Sequence, residues 1–160
     1  MILRGLSSTS RIWIFFSHRL LTEEEEAQLS NELNNFVLGW QAHGVDLFAS
    51  AEVLHNSVVV IGVDEDKEPP SGCSIDKVFG LLKSFGASFG IDFFNRLLLN
   101  ISYCNSAKIV SRDQVQELIN RNEIAGETLV FNNLAQTLGE LRATTYLPLT
   151  ASWMAPKLNF

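Results

Sequence analysis

Hydrophobic and polar positions along this chain follow two different periods, and the changes of period mark the secondary-structure elements. Residues 11–17, RIWIFFS, and 58–63, VVVIGV, are continuous apolar runs, the pattern of strands buried on both faces. Residues 46–54, DLFASAEVL, alternate loosely and predict a half-exposed strand. Residues 97–103, LLLNISY, predict a fourth strand that carries polar side chains on one side.

Two amphipathic segments separate these strands, and each opens on a helix start signal. Thr22 followed by Glu25 forms a capping-box pair, and the apolar residues after it recur at helical spacing. The second segment begins between Ser71 and Ser74 and keeps one apolar stripe until Gly90, a residue that favours the end of a helix. The dipeptide at 55–56, His-Asn, tolerates positive φ and predicts a tight hairpin.

The element order β-α-β-β-α-β predicts an α+β fold with a ferredoxin-like core and an antiparallel sheet over residues 11–104. Its central strands would be the two continuous apolar runs. Residues 105–160 are expected to add a helical and extended C-terminal segment, in which 128–133, TLVFNN, predicts either a short strand or a helix start. This segment or a partner chain would cover the sheet face that the helices leave open. We expect 11–160 to be one domain and 1–10 a disordered N-terminal extension.

Composition narrows the classes of protein to which this chain could belong. Hydrophobic residues make up 46% and charged residues 19%, as in globular domains. A net charge of −6 argues against a nucleic-acid partner. Two cysteines are too few for a disulfide framework and favour a reducing, cytoplasmic setting. No apolar run reaches the roughly 18 residues of a membrane span. We also expect no cofactor, because the chain contains no recognised cofactor-binding motif.

The motif SGCSID, at 71–76, is the strongest candidate site. Cys73 is expected at a helix N-terminus, where the helix dipole stabilises a thiolate or a bound anion. Gly72 would let the backbone approach a ligand, and Ser71 and Ser74 would add hydroxyl groups. The alternative is structural: one of the serines caps the helix, and Cys73 is a small buried apolar residue.

A second candidate is a cluster of polar residues after two strands. His18 follows the first strand, and Asp64 and Glu65 follow the third. If those strands run parallel, all three side chains lie at one end of the sheet, beside Cys73. His18 would then be the base for a catalytic thiol, or the cluster a weak metal site. Ordinary solvated loop residues are the alternative, and no metal is assigned because no recognised ligand spacing is present.

Asn132 and Asn133 offer a third candidate, since their adjacent amides could bind a ligand. A helix cap followed by a polar face is the structural alternative.

Several stretches together resemble a bacterial family of uncharacterised proteins of about this length, some of which are labelled ABC-transporter ATPases. The stretches are RIWIFFSHRLLTEEE, WQAHG, VDEDKEPPSGCSIDKV, FGIDFFNRL, LVFNN and SWM. The resemblance covers roughly residues 11–155 and implies a shared fold. It does not imply ATP hydrolysis, because the chain contains neither a GxxxxGK[ST] phosphate loop nor an LSGGQ signature.

The sequence therefore favours a soluble binding or interaction domain without catalytic activity. Its partner would be a small ligand, another protein, or a second copy forming a homodimer through the sheet. The alternative is a small thiol-dependent enzyme, or an anion-binding or small-ligand-binding protein, centred on Cys73.

Overall fold

The computed structural model describes residues 1–160 as an α+β fold with two main antiparallel sheets and a small hairpin. In chain order the elements are β1 (Arg11–Phe16), α1 (Glu23–Leu38), β2 (Gln41–Ala42), β3 (Val45–Asp46), β4 (Ala49–Leu54), β5 (Val58–Val63), α2 (Gly72–Phe89), β6 (Leu99–Tyr103), β7 (Ser106–Val110), α3 (Arg112–Asn120), β8 (Leu129–Phe131), α4 (Leu138–Ala143) and β9 (Tyr146–Pro148). Two short 3-10 turns follow β9. None of the helices combines the length and the hydropathy needed to cross a bilayer.

The first sheet has the order β1-β5-β4, with β5 in the centre. β1 and β5 run antiparallel, so that Phe16 lies opposite Val58. β4 joins β5 through the predicted hairpin, in which His55 and Asn56 both have φ of 51°. All six residues of β5 are buried, because this strand has a neighbour on each side and a layer on each face. This burial on both faces explains why every residue of VVVIGV is apolar.

Different parts of the chain cover the two faces of this sheet. On one face, α1 and α2 contribute Leu29, Leu33, Val78 and Leu82 to a core with Trp40. On the other face the cover comes from both ends of the chain, through Leu3, Leu6, Phe131, Leu138 and Leu141. The expectation that the C-terminal segment covers the open face agrees with the contacts of Phe131 and α4.

Residues 1–10, expected to be disordered, form the rest of that cover. The side chains of Leu3 and Leu6 are 1% and 6% exposed. The Arg142 guanidinium of α4 donates hydrogen bonds to the carbonyl oxygens of Ile2, Leu3 and Leu6, and the Leu3 N–H donates to a Glu52 carboxylate oxygen at 2.9 Å. The serine-rich composition of this segment suggests disorder, but burial of Leu3 and Leu6 holds it against the sheet.

The fourth predicted strand belongs to a second sheet, so the single ferredoxin-like sheet does not form. β6 turns at Cys104 and Asn105, which have φ of 49° and 61°, directly into β7. Its other side pairs with β8, giving the order β7-β6-β8-β9. With one edge occupied by β7 and the other by β8, β6 is unavailable to β1. The segment 128–133 is thus resolved as a strand, and α4 begins only at Leu138.

The expected capping box at Thr22 and Glu25 is present and is extended by an ion pair. Both oxygens of the Glu25 carboxylate accept hydrogen bonds from the Arg19 guanidinium at 2.8 Å. Arg19 also donates to the carbonyl oxygen of Phe89 at 3.0 Å, which ties the start of α1 to the end of α2. The hydrogen bond from Arg19 and then that from the Thr22 backbone N–H lower the pKa of Glu25 to about 2.

We expect Glu25→Gln to remove part of the acid sensitivity of the fold. Because the folded pKa of about 2 lies below the ordinary value of 4.5, Glu25 stabilises the native state above the ordinary value. That contribution is lost as the pH falls toward the folded pKa. The difference in unfolding free energy between wild type and Glu25→Gln, measured by denaturant titration, should be constant near neutrality and shrink below about pH 4.

Glu24→Gln is the matched control, since Glu24 lies in the same turn, is exposed and has no ion pair. A wild-type-to-Glu25→Gln difference that does not change with pH would contradict the stabilising role of this ion pair.

A groove at the open edge of the first sheet

The predicted pairing of His18 with Cys73 does not occur, because the two residues lie at opposite ends of α2. The His18 backbone N–H donates to the carbonyl oxygen of Asp92, and its Nδ1 accepts from the Asp92 N–H, both at 2.9 Å. Asp92 follows the C-terminal end of α2, whereas Cys73 lies in its first turn. At about 1.5 Å per residue, some 25 Å of helix separates those ends. His18 therefore cannot act as a base for Cys73.

The acidic members of the predicted cluster are also far from His18, and the cause is strand direction. Because β1 and β5 are antiparallel, the end of β5 lies beside the start of β1. Asp64 is buried there and its Oδ1 accepts a hydrogen bond from the Asp66 N–H, while Glu65 forms an ion pair with Arg11 at 3.4 Å. No group of three His, Cys, Asp or Glu side chains is placed to hold a metal ion.

The SGCSID motif starts α2, and the capping interpretation is confirmed. The Ser74 N–H donates to the Ser71 Oγ at 3.1 Å, and the Ser71 N–H donates to the Ser74 Oγ at 2.7 Å. The carbonyl oxygen of Ser74 also accepts from the Trp40 indole N–H at 2.8 Å. Cys73 is exposed rather than buried, and Gly72 has open space around it. Neither residue lines the cavity beside β1.

A cavity of about 690 Å³ lies instead along the outer edge of β1. Its other walls are the segments 93–96, after α2, and 133–137, before α4. Eleven of the 19 lining residues are hydrophobic, and Trp13, Ile14, Phe94 and Leu134 are among them. We call this cavity the β1 groove.

The backbone of β1 is unpaired within this groove. At one end the Ile12 N–H donates to the Gln136 carbonyl oxygen at 3.1 Å, and at the other the His18 N–H bonds to Asp92. Between them the N–H and C=O groups of Ile14 and Phe16 have no hydrogen-bond partner, because β5 takes only the groups of alternate residues. Ile14 and Phe16 thus present two donors and two acceptors to the groove at the regular spacing of a strand edge.

Aromatic side chains form much of the groove wall. Phe94 stacks on Phe79 of α2 with ring centroids 5.8 Å apart, and both rings meet the Phe15 ring edge to face. Trp153 lines the groove as well, and its indole N–H is enclosed without a hydrogen-bond partner. Phe94 is 38% exposed and Leu134 is 63% exposed, so the apolar wall is open to an incoming molecule.

One positive charge in the groove is uncompensated. Arg11 pairs with Glu65 and lies 4.7 Å from the centre of the Trp13 ring, so its charge is balanced locally. Arg96 lines the groove and has no acidic partner within ion-pairing distance. A carboxylate is the group that would complement Arg96.

Of the residues singled out in the sequence, Glu65 and Asn133 line this groove. Asn132 does not, since its amide nitrogen donates to the Thr144 carbonyl oxygen and its Oδ1 accepts from the Leu134 N–H. Sequence reasoning missed Phe94, Arg96 and Leu134. The signal that could have found them is apolar and basic residues in polar loop contexts, in FGIDFFNRL and VFNNLAQ.

Comparison with known proteins identified no relative: no family model, no curated protein and no solved structure matches this chain. The candidate site therefore rests on geometry and chemistry alone.

Proposed function

We propose that this protein is a cytoplasmic binding domain that acts without catalysis and whose binding site is the β1 groove. The observation that carries the proposal is the unpaired backbone of Ile14 and Phe16 within a cavity lined mostly by hydrophobic residues. A ligand gains affinity there if it forms hydrogen bonds with these backbone groups and packs its apolar atoms against the walls. The cytoplasmic setting, expected from the two unpaired cysteines, belongs to the same proposal.

The side chains of the groove suit binding better than chemistry. The only acidic group that lines it, Glu65, is paired with Arg11, and neither cysteine nor any histidine lines it. What remains is a set of aromatic walls, amide side chains and the cation of Arg96. Such a combination orients and holds a ligand. A thiol enzyme centred on Cys73 gains no support, because Cys73 lies outside the groove and His18 lies at the opposite end of α2.

The test is a nuclear magnetic resonance titration of the full chain with a fragment library of aromatic carboxylic acids. These probes carry both an apolar ring for the walls and a carboxylate for Arg96. We expect the largest shifts at the Ile14 and Phe16 amides and at the Trp153 indole. Leu134→Glu should weaken binding at least about tenfold, equivalent to about 1.4 kcal/mol, by repelling the carboxylate and removing apolar wall.

Leu38→Glu is the matched control, since Leu38 is 83% exposed at the end of α1 and does not line the groove. This substitution should leave binding unchanged. Shifts that cluster around Cys73 and leave the groove untouched, or equal affinity in wild type and Leu134→Glu, would refute the proposed site.

A further inference from the structure

We propose that the occupant of the β1 groove is an extended peptide segment of another protein, which adds a strand to the outer edge of β1 and places a carboxylate at Arg96. This inference rests on the groove being the binding site and specifies its ligand class. It depends on three features of the groove: the spacing of the unpaired backbone groups, the two apolar walls and the free cation.

The spacing of the backbone groups matches a strand. Ile14 and Phe16 each present an N–H and a C=O outward, and the hydrogen bonds at Ile12 and His18 bound the gap. A strand rises about 3.3 Å per residue, so the open edge from Ile12 to His18 is about 20 Å long and takes a peptide of roughly five residues. An extended backbone offers donors and acceptors at the same two-residue interval, as in other cases of strand addition.

The walls fit alternate side chains of such a peptide. Successive residues of a strand point to opposite faces of the sheet. Phe79 and Phe94 lie on the α2 side, where Phe79 packs against the core that contains α1 and α2. Ala135 packs with the core on the opposite face, which contains Leu3 and α4. A bound strand would therefore place one set of side chains against the aromatic pair and the other against the 133–137 segment.

Arg96 adds a preference in charge. The whole chain has a net charge of −6, so long-range attraction for an acidic partner is absent. Inside the groove, however, the Glu65 charge is balanced by Arg11 and the Arg96 charge is not balanced. An acidic side chain or a C-terminal carboxylate on the peptide would restore neutrality, with a charge-assisted hydrogen bond to the guanidinium.

A second copy of this chain fits the groove less well than a single peptide does. Two β1 edges would have to approach to about 4.8 Å to pair with each other. The segments 93–96 and 133–137 line the groove beside β1 in each copy, so two paired edges would have to accommodate four such segments. A single peptide strand has to fit between only two.

The experiment begins with selection of a random heptapeptide display library against the immobilised full chain. The enriched peptides are then synthesised with an N-methyl group at each backbone nitrogen in turn. We expect an effect at every second peptide nitrogen. Methylation of nitrogens that face β1 should lower the affinity at least about tenfold, because each loses a hydrogen bond to the strand edge. Methylation of the nitrogens in between should lower it less than about threefold. Amide exchange at Ile14 and Phe16 should slow in the complex.

Variants of the protein test the charge preference. Arg96→Gln should weaken acidic peptides about tenfold and abolish their enrichment, whereas Arg4→Gln, at an exposed arginine outside the groove, should change neither. Peptides that differ only in a free or an amidated C-terminus separate a terminal carboxylate from an acidic side chain.

Several outcomes would overturn the strand-addition inference. If no peptide is enriched while aromatic carboxylates still shift the groove, the proposed function stands and the peptide ligand class is wrong. Peptides whose N-methyl scan lacks the two-residue period bind by side chains rather than as a strand. Concentration-dependent self-association that protects Ile14 and Phe16 would make a second copy the occupant. If neither fragments nor peptides bind the groove, both proposals fail.

Discussion

Gly86→Ala is expected to destabilise the protein by about 3 kcal/mol, because the chain turns back onto α2 at this residue. A Cβ atom at Gly86 would lie 2.2 Å from the carbonyl oxygen of Ile91, well inside contact distance. The Ile91 N–H also donates to the Gly86 carbonyl oxygen at 2.9 Å, so the backbone at both positions is fixed by the same turn. Moving that turn would also displace Phe93, which is buried in the core.

Gly80→Ala on the same helix is the matched control and should have the opposite sign. Gly80 is exposed, and apart from its chain neighbours and the nearby backbone of its own helix no atom lies within 4 Å of the position of its Cβ. Replacing glycine by alanine in an exposed helix interior stabilises by roughly 0.5–1 kcal/mol, because the unfolded chain loses freedom. Urea denaturation of the two variants tests both signs, and equal effects would contradict the tight turn at Ile91.

Leu3→Ala should cost about 2–4 kcal/mol, the range for removing a buried leucine side chain. The Leu3 side chain packs on the face of the first sheet that α4 also covers, beside Ile12 and Val60. Leu38→Ala provides the comparison, since Leu38 is 83% exposed and its truncation should cost less than about 0.5 kcal/mol.

The same denaturation measurement separates the two descriptions of residues 1–10. A disordered extension would make Leu3→Ala neutral, like Leu38→Ala. If the segment is packed, Leu3→Ala is one of the more destabilising substitutions in the chain. Arg142→Gln should then also destabilise the protein, because it removes hydrogen bonds to Ile2, Leu3 and Leu6.

Periodicity predicted the longer elements of this chain, because each is amphipathic or buried in its own right, but it did not predict β2, β3, β7 or β9. The hairpin at 55–56, the capping box at Thr22 and Glu25 and the burial of VVVIGV all follow from local residues. The expectation that both apolar runs are central is wrong for RIWIFF, because β1 is an edge strand whose only partner strand is β5. Strand partners do not follow in the same way. The pattern of β6 is equally consistent with pairing to β1 or to β7, and a two-residue turn at Cys104 decides the matter locally.

The predicted cluster around His18 failed for a reason that lies in topology. β1 and β4 are joined through α1 and run parallel to each other, and β5 lies between them. Because β5 forms a hairpin with β4, it runs antiparallel to both. The ends of β1 and β5 therefore point in opposite directions. His18 and Asp64 are separated by this arrangement alone.

The β1 groove was harder to find in the sequence because loops from distant parts of the chain build it. The sequence indicates Glu65 and Asn133 as candidates, but for two other sites, the His18 cluster and the Asn132–Asn133 amide pair. Phe94 and Leu134, which form part of the walls, lie in loops and belong to no motif that marks a site. Their partial exposure becomes visible only once 93–96 and 133–137 are placed against β1.

The cover supplied by both ends of the chain has a consequence for the order of events during synthesis. Arg142 bonds to Ile2, a partner 140 positions earlier. The first sheet can pair its strands as soon as β5 has left the ribosome, but the face bearing Phe16 and Val60 stays open until α4 emerges. For that interval the nascent chain displays an apolar sheet surface, the condition in which unfinished chains associate or recruit chaperones.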